Sequence, residues 1–135
     1  MLKRKSRVVI DTNLWISFFL TKDFSKLDVL LYEQKVVLLF SNELLEEFLE
    51  VTSRPKFKQY FSPENVEHLL QQIHLYSEFI EVTSDVRLCR DEKDNFLLSL
   101  AKDGKATHLI TGDKDLLELD KIGKTKIVTM ADYLI

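Results

Sequence analysis

The sequence predicts an α/β fold in which a parallel β-sheet is flanked by α-helices on both faces. Short apolar runs rich in β-branched residues, such as residues 8–10 and 36–40, are typical of strands buried on both sides. Between them lie longer segments whose apolar residues recur at helical spacing. Strands that alternate with helices in this way build a parallel sheet from strand–helix–strand units. We therefore expect one Rossmann-like domain.

The first half of the chain contains clear helix boundary signals. Ser41 is a good N-cap, and Pro55 marks the end of the helix that Ser41 begins. Pro63 follows Ser62 and occupies a favourable first helical position. In chain order the predicted elements are a strand at residues 8–10, helices at 14–20 and 24–32, a strand at 36–40, a helix at 42–52 and a helix from Pro63 onward.

The second half is predicted to continue the same alternation. A third strand is expected at residues 79–82, followed by a helix at 91–102 with Asp91 as its cap and Gly104 as its stop. A fourth strand at residues 108–111, a fifth at 126–129 and a short helix at 130–135 complete the domain.

Composition predicts a single domain over residues 1–135 that begins with a basic extension at residues 1–6. The chain has 135 residues, of which 45% are hydrophobic, and it has only three glycines and two prolines, so no linker is expected. Cys89 is the lone cysteine and fits a reducing compartment. No apolar run is long enough for a signal peptide or a membrane span. We expect a cytoplasmic protein without membrane attachment.

The charge balance argues against capture of nucleic acid by a basic surface. The formal net charge is −3, whereas nucleic-acid-binding domains are normally strongly basic. Contact with nucleic acid must therefore come from local basic patches and bound cations. Besides the N-terminal extension, the candidate residues for RNA contact are Arg54, Lys56 and Lys58.

Acidic residues follow the ends of predicted strands and begin a predicted helix. Asp11 closes the first strand and Asp113 follows the fourth, and in a Rossmann-like order these two strands are neighbours. Asp94 lies in the first turn of a helix whose N-terminus faces the same edge of the sheet. Asp94 and Asp91 together also match a capping arrangement. At Asp94 both interpretations, metal ligand and cap, remain open.

The helix at residues 42–52 carries four glutamates, which helical geometry separates. Glu43 and Glu50 lie opposite the apolar stripe and should face water. Glu46 and Glu47 flank the stripe on opposite sides, and geometry alone leaves both as candidates.

Carboxylates that meet at one sheet edge predict a site for a hard divalent cation. They repel one another unless a cation neutralises them, and magnesium prefers carboxylate oxygens. Asp113 and Asp115 also fit the residues of a turn before a short helix. Other chemistries are less consistent with the sequence: the three histidines lack metal-ligand spacing, and no glycine-rich phosphate loop occurs.

Four segments in register resemble the PIN domain, and in particular the PIN-family toxins of prokaryotic toxin–antitoxin systems. They are residues 9–13 (VIDTN), 41–48 (SNELLEEF), 91–95 (DEKDN) and 109–117 (LITGDKDLL). Residues 54–57 (RPKF) also resemble a stretch of that subgroup. The resemblance implies that the catalytic acids are Asp11, Glu47, Asp94 and Asp113. It further implies that Asp115 is a weaker metal ligand and that Asn13 and Thr111 support the site.

The resemblance implies a metal-dependent endoribonuclease. Mg²⁺ or Mn²⁺ would be held by Asp11, Asp94 and Asp113, while Glu47 would bind metal or orient the attacking water. The implied partners are an RNA substrate, a small antitoxin and a second copy of the chain. The alternatives are a solitary PIN nuclease of RNA processing, a non-catalytic binding module and a magnesium-binding receiver-like domain. A receiver domain needs an acceptor aspartate after its third strand, and this sequence has none directly after the predicted third strand.

Overall fold

The computed structural model describes residues 6–21 and 36–134. The predicted helix at residues 24–32 and nearly all of the predicted basic extension therefore lie outside the described residues. The described helices are α1 (Thr12–Thr21), α2 (Asn42–Thr52), α3 (Pro63–Tyr76), α4 (Asn95–Asp103), α5 (Lys114–Leu117) and α6 (Met130–Tyr133). The described strands are β1 (Arg7–Ile10), β2 (Val37–Phe40), β3 (Ser77–Phe79), β4 (His108–Ile110), β5 (Lys121–Ile122) and β6 (Thr125–Val128).

The described strands form one mostly parallel sheet with the order β3-β2-β1-β4-β6-β5. The central strand β1 pairs in parallel with β2 on one side and with β4 on the other. The predicted neighbourhood of the first and fourth strands is thus confirmed, as is the α/β class. The chain adds β2 and β3 on one side of β1 and then β4 on the other, so a crevice opens at the carboxyl ends of β1 and β4.

The sheet departs from the predicted all-parallel arrangement at one edge. Strand β5 was not predicted, and it pairs antiparallel with β6. Gly123 has φ = +56° in the tight turn between them, a backbone conformation that glycine adopts without steric cost. The fifth predicted strand corresponds to β6 and begins one residue earlier than expected.

The predicted third strand at residues 79–82 is wrong in its bounds. Helix α3 runs directly into β3, whose Ser77 and Phe79 lie opposite Leu38 and Phe40 of β2. Phe40 is the last residue of β2, and its carbonyl accepts a hydrogen bond from the backbone N–H of Ile80 at 2.8 Å. Since β2 ends there, residues 81 and 82 have no strand residues left to pair with.

The predicted helix at residues 91–102 is divided into two parts. Asp91 caps a 3-10 turn formed by Glu92–Asp94, and the α-helix α4 starts only after it. Gly104 ends α4 as expected, with an ordinary negative φ. A Cβ atom at this position would lie 2.8 Å from the Leu39 side chain, so close packing is the reason for glycine here.

The core lies between the sheet and the helices. Its largest fully buried side chains include Trp15, Phe40 and Phe48, and Leu97 and Leu98 of α4 are also fully buried. Within the described ranges every helix is too short or too polar to cross a lipid bilayer.

Candidate active site

Asp11 lies directly after β1 and is almost fully buried, with 5% of its surface exposed. The Thr111 hydroxyl donates a hydrogen bond to Asp11 Oδ2 at 2.7 Å, and the backbone N–H of Asn13 donates to Oδ1 at 3.3 Å. Thr111 Oγ1 also accepts from the backbone N–H of Asp113 at 3.0 Å. Thr111 therefore links the end of β1 to the residues that follow β4.

Asp113 has the capping role that its position after Gly112 predicted. Its Oδ1 accepts hydrogen bonds from the backbone N–H groups of Asp115 at 2.8 Å and Leu116 at 3.3 Å, which begins α5. Its charge also acts on Asp11 and on Asp94. The cap and the acidic cluster are thus two roles of one carboxylate, because the cap uses only one of its oxygens.

Glu47 is the glutamate of α2 that faces the cluster. It is half-buried, whereas Glu43, Glu46 and Glu50 are exposed. The Thr12 hydroxyl donates to Glu47 Oε2 at 2.7 Å, and this contact joins α2 to the first residue of α1. The choice between Glu46 and Glu47 that helical geometry left open thus falls on Glu47.

Asp94 stands at the junction of the 3-10 turn and α4. Its side chain makes no capping hydrogen bond, although it occupies the N-cap position. The cap of the turn is Asp91, whose Oδ1 accepts from the backbone N–H of Lys93 at 3.1 Å. The capping interpretation of Asp94 therefore does not hold, and its carboxyl group lies within hydrogen-bonding reach of the Asp113 carboxyl group instead.

Burial and the negative charge of neighbouring acids raise the pKa of Asp11, Glu47 and Asp94. Burial and then the negative charges of Asp113 and Asp11 raise the pKa of Asp94 from 3.8 to about 7. Burial also raises the pKa of Asp11, against the lowering effect of the Thr111 hydrogen bond. Burial, with a contribution from the charge of Asp11, raises the pKa of Glu47. Electrostatic repulsion thus connects all four predicted catalytic acids.

The donor set suits a hard divalent cation, although the side chains do not enclose one. Within residues 6–21 and 36–134, no three acidic, histidine or cysteine side chains are placed close enough together to hold a metal ion. The strongest charges acting on Asp94 are nevertheless all negative. Carboxylate oxygens in mutual repulsion are the ligands that magnesium or manganese would neutralise.

Comparison with known proteins identifies the family of this fold and site. A family model described as PIN domain matches residues 7–115. The chain belongs to the PIN-domain family. It is also 36% identical, over 122 residues, to an uncharacterized protein of Methanocaldococcus jannaschii, covering 88% of this chain and 78% of that protein. PIN domains are generally nucleases and typically use divalent metals.

The predicted basic patch is exposed, and one of its members acts on the acidic cluster. Arg54 pairs with Glu50 one helical turn earlier, at 2.8 Å, and its charge partly offsets the rise in the pKa of Glu47 that burial causes. The Lys56 ammonium lies 5.0 Å from the ring centroid of Phe57, and Lys58 is exposed. Arg54 thus brings positive charge next to the acidic cluster of this PIN domain.

Two predicted supporting residues are placed differently from Thr111. The Asn13 side chain is exposed, and only its backbone N–H contacts Asp11. Asp115 is half-buried in the first turn of α5 and uses its backbone N–H to bind Asp113. Thr12 was missed by sequence reasoning, even though it stands between Asp11 and Asn13. A hydroxyl next to an aspartate at the end of a strand could have indicated a role at the site. Its partner, Glu47, lies 35 residues further along the chain, so the sequence does not reveal the contact.

Proposed function

We propose that this PIN domain is a metal-dependent endoribonuclease and the toxin component of a type II toxin–antitoxin system. The observation that carries the nuclease proposal is the accumulation of uncompensated carboxylates at the carboxyl ends of β1 and β4. There, neighbouring acids help to raise the pKa of Asp94 to about 7. Such repulsion costs stability unless the site binds a cation, which is the expected property of a metal-dependent active site.

Asp11, Asp94 and Asp113 would hold Mg²⁺ or Mn²⁺, with Asp115 as a weaker ligand. A bound cation supplies charge neutralisation at the phosphate and a water of lowered pKa. Thr111 keeps the Asp11 carboxylate in position, and the cap of α5 does the same for Asp113. One oxygen of Asp113 is thereby fixed by the cap.

Glu47 would orient the attacking water. Its Oε2 is occupied by the Thr12 hydroxyl, which leaves Oε1 to accept a hydrogen bond, or the proton, from that water. Since water rather than a ribose hydroxyl is the nucleophile, the products would carry a 5′-phosphate and a 3′-hydroxyl. Arg54, Lys56 and Lys58 would contact the RNA backbone, a local contribution that the net charge of −3 makes necessary.

The nuclease proposal is tested by cleavage of RNA with purified protein in Mn²⁺, in Mg²⁺ and in EDTA. We expect cleavage with either metal and none in EDTA. Asp11→Asn should lower the rate by at least about 100-fold, the upper end of what loss of a supporting group costs a metal site. Glu43→Gln, an exposed acid of α2, is the matched control and should cleave as the wild type does. Equal activity of Asp11→Asn and wild type would refute the site.

The toxin proposal includes a small antitoxin and a homodimer as partners, and growth assays test it. Expression of the wild type should arrest bacterial growth, expression of Asp11→Asn should not, and a small protein encoded beside the gene should restore growth. A homodimer is checked by light scattering of the purified protein. Unimpaired growth together with RNA cleavage in vitro would instead favour a solitary nuclease of RNA processing.

A further inference from the structure

A polar pocket adjoins the acidic cluster on the side of Asp94. It has a volume of about 400 Å³ and is lined by Asp85, Arg87, Cys89, Arg90, Glu92 and Asn95. Glu92 belongs to the same 3-10 turn as Asp94, two residues away. Because residues of a 3-10 helix rise only about 2 Å each, the pocket and the acids are within reach of neighbouring nucleotides of one strand.

The wall of this pocket is held by α4. Asn95, Ser99 and Asp103, which are spaced four residues apart on one face of the helix, accept hydrogen bonds from the backbone of the preceding segment. The donors are the N–H groups of Cys89 at 2.8 Å, Val86 at 2.9 Å and Ser84 at 2.8 Å. A segment fixed at three successive points presents its side chains in a defined arrangement, as ligand selection requires.

Cys89 lines the pocket, and the charges of the acidic cluster act on its thiol. Its thiol is buried, and burial is the main cause of its raised pKa. The charges of Asp94, Asp113 and Asp115 raise it further. A residue that lines the pocket thus lies within the field of the acidic cluster.

The lining groups match a nucleobase better than a phosphate. Two arginines are balanced by two acids, and Arg87 is already paired with Asp85 at 2.8 Å. A phosphate subsite needs an excess of positive charge, which this pocket lacks. Arg90 forms no ion pair within the described part of the chain, and Glu92 is exposed. The pocket therefore offers both hydrogen-bond donors and acceptors, and the Arg87 guanidinium offers a planar surface for stacking.

We propose that this pocket binds the base of the nucleotide next to the cut phosphodiester, and that guanine is the base it prefers. Guanine presents two adjacent acceptors, O6 and N7, which a guanidinium such as that of Arg90 can bind with two hydrogen bonds. Its Watson–Crick edge presents adjacent N–H donors that match the two oxygens of a carboxylate such as Glu92. The proposal rests on RNA being the substrate of the site described above.

The test uses uridine oligoribonucleotides that carry a single guanosine, adenosine, cytidine or additional uridine at one central position. The wild type should cleave the guanosine oligonucleotide with at least about tenfold higher kcat/KM than the others, since each bidentate base contact provides about that factor. Arg90→Ala and Glu92→Ala should each lower this ratio by about tenfold and leave cleavage of the all-uridine oligonucleotide near the wild-type rate. Lys102→Ala is the matched control, since it removes an exposed cation near the other end of α4 and should keep the ratio.

Binding of the same four oligonucleotides, measured by fluorescence anisotropy in EDTA, separates this proposal from the nuclease proposal. Tighter binding of the guanosine oligonucleotide by wild type than by Arg90→Ala supports the pocket, even if no oligonucleotide is cleaved and the nuclease proposal fails. Equal affinity of the wild type for all four, or a preference unchanged in both pocket variants, overturns the pocket assignment whether or not RNA is cleaved.

Discussion

Hydroxyl groups hold two of the acids in place without neutralising them. Thr111 donates to Asp11 and Thr12 donates to Glu47, each at 2.7 Å. Hydrogen bonds to an ionised carboxylate are short and favour the charged form. A lysine or arginine in the same position would orient the carboxylate as well, but it would also supply the positive charge that a cation brings. A threonine keeps the site both ordered and negative.

Thr12→Val should lower kcat about tenfold, since it leaves Glu47 without the donor that orients it. The free energy of unfolding should fall by about 1 kcal/mol, the usual net value of one hydrogen bond. RNA cleavage and urea unfolding measure the two effects. Thr12→Ser keeps the donor and is the control, so a kcat as low in Thr12→Ser as in Thr12→Val would contradict the role given to the hydroxyl.

The raised pKa of Asp94 predicts how the stability of the metal-free protein depends on pH. Its pKa is about 7 in the folded state, against the value of 3.8 for an aspartate in an unfolded chain. The folded state thus binds this proton more tightly, and the stabilisation is complete below about pH 4 and is lost as the pH rises through 7. In EDTA the melting temperature should therefore fall between pH 5 and pH 8. Asp94→Asn, which does not titrate, should show a smaller fall; an equal fall would contradict the raised pKa.

At the scale of elements, α2 shows how one helix places identical side chains in different environments. Its buried face carries Leu44, Phe48 and Val51, and its exposed face carries Glu43 and Glu50. Glu47 lies at the boundary, where the first residue of α1 reaches it. The position on the helix decides which glutamate can act, because side chains of one turn point in different directions.

Substitution of the four glutamates one at a time tests this arrangement. Glu47→Gln should lower RNA cleavage at least tenfold, because a glutamine oxygen is a poorer acceptor for the attacking water or its proton. The exposed positions, Glu43→Gln, Glu46→Gln and Glu50→Gln, should cleave as the wild type does. Unfolding free energies should stay within about 0.5 kcal/mol for Glu43→Gln and Glu46→Gln, and Glu50→Gln should lose little stability with its solvent-exposed pair to Arg54. Loss of activity in Glu46→Gln alone would reassign the acid of this helix.

At the scale of the molecule, the strand order brings together residues that are far apart in the chain. Asp11 and Thr111 are separated by 100 residues and share a hydrogen bond because β1 and β4 are neighbours in the sheet. The acids at this edge belong to separate elements, so a ligand that joins them should stabilise the whole fold rather than one segment.

Mg²⁺ or Mn²⁺ should raise the melting temperature relative to EDTA. A ligand that binds only the folded state stabilises it by about 2.7 kcal/mol at a concentration of 100 times its Kd. Differential scanning calorimetry at several metal concentrations measures the effect. Asp94→Asn should show a smaller metal-induced shift, whereas Glu43→Gln should show the full shift. A shift of the same size in both variants would return Asp94 to a purely structural role.

The sequence by itself determined the α/β class, the helix bounds of α2 and the resemblance to PIN domains. Apolar runs, caps such as Ser41 and short motifs involve residues that are close together in sequence, so the sequence alone reveals them. Only the tertiary structure showed the short edge strand β5 and the early start of β3. It also showed that Glu47, and not Glu46, is the half-buried glutamate beside the acidic cluster. It also decided the absence of a cap at Asp94 and the partnership of Thr12 with Glu47. These features depend on contacts between segments distant in sequence, and the pairing that creates such contacts leaves no periodic pattern in either segment.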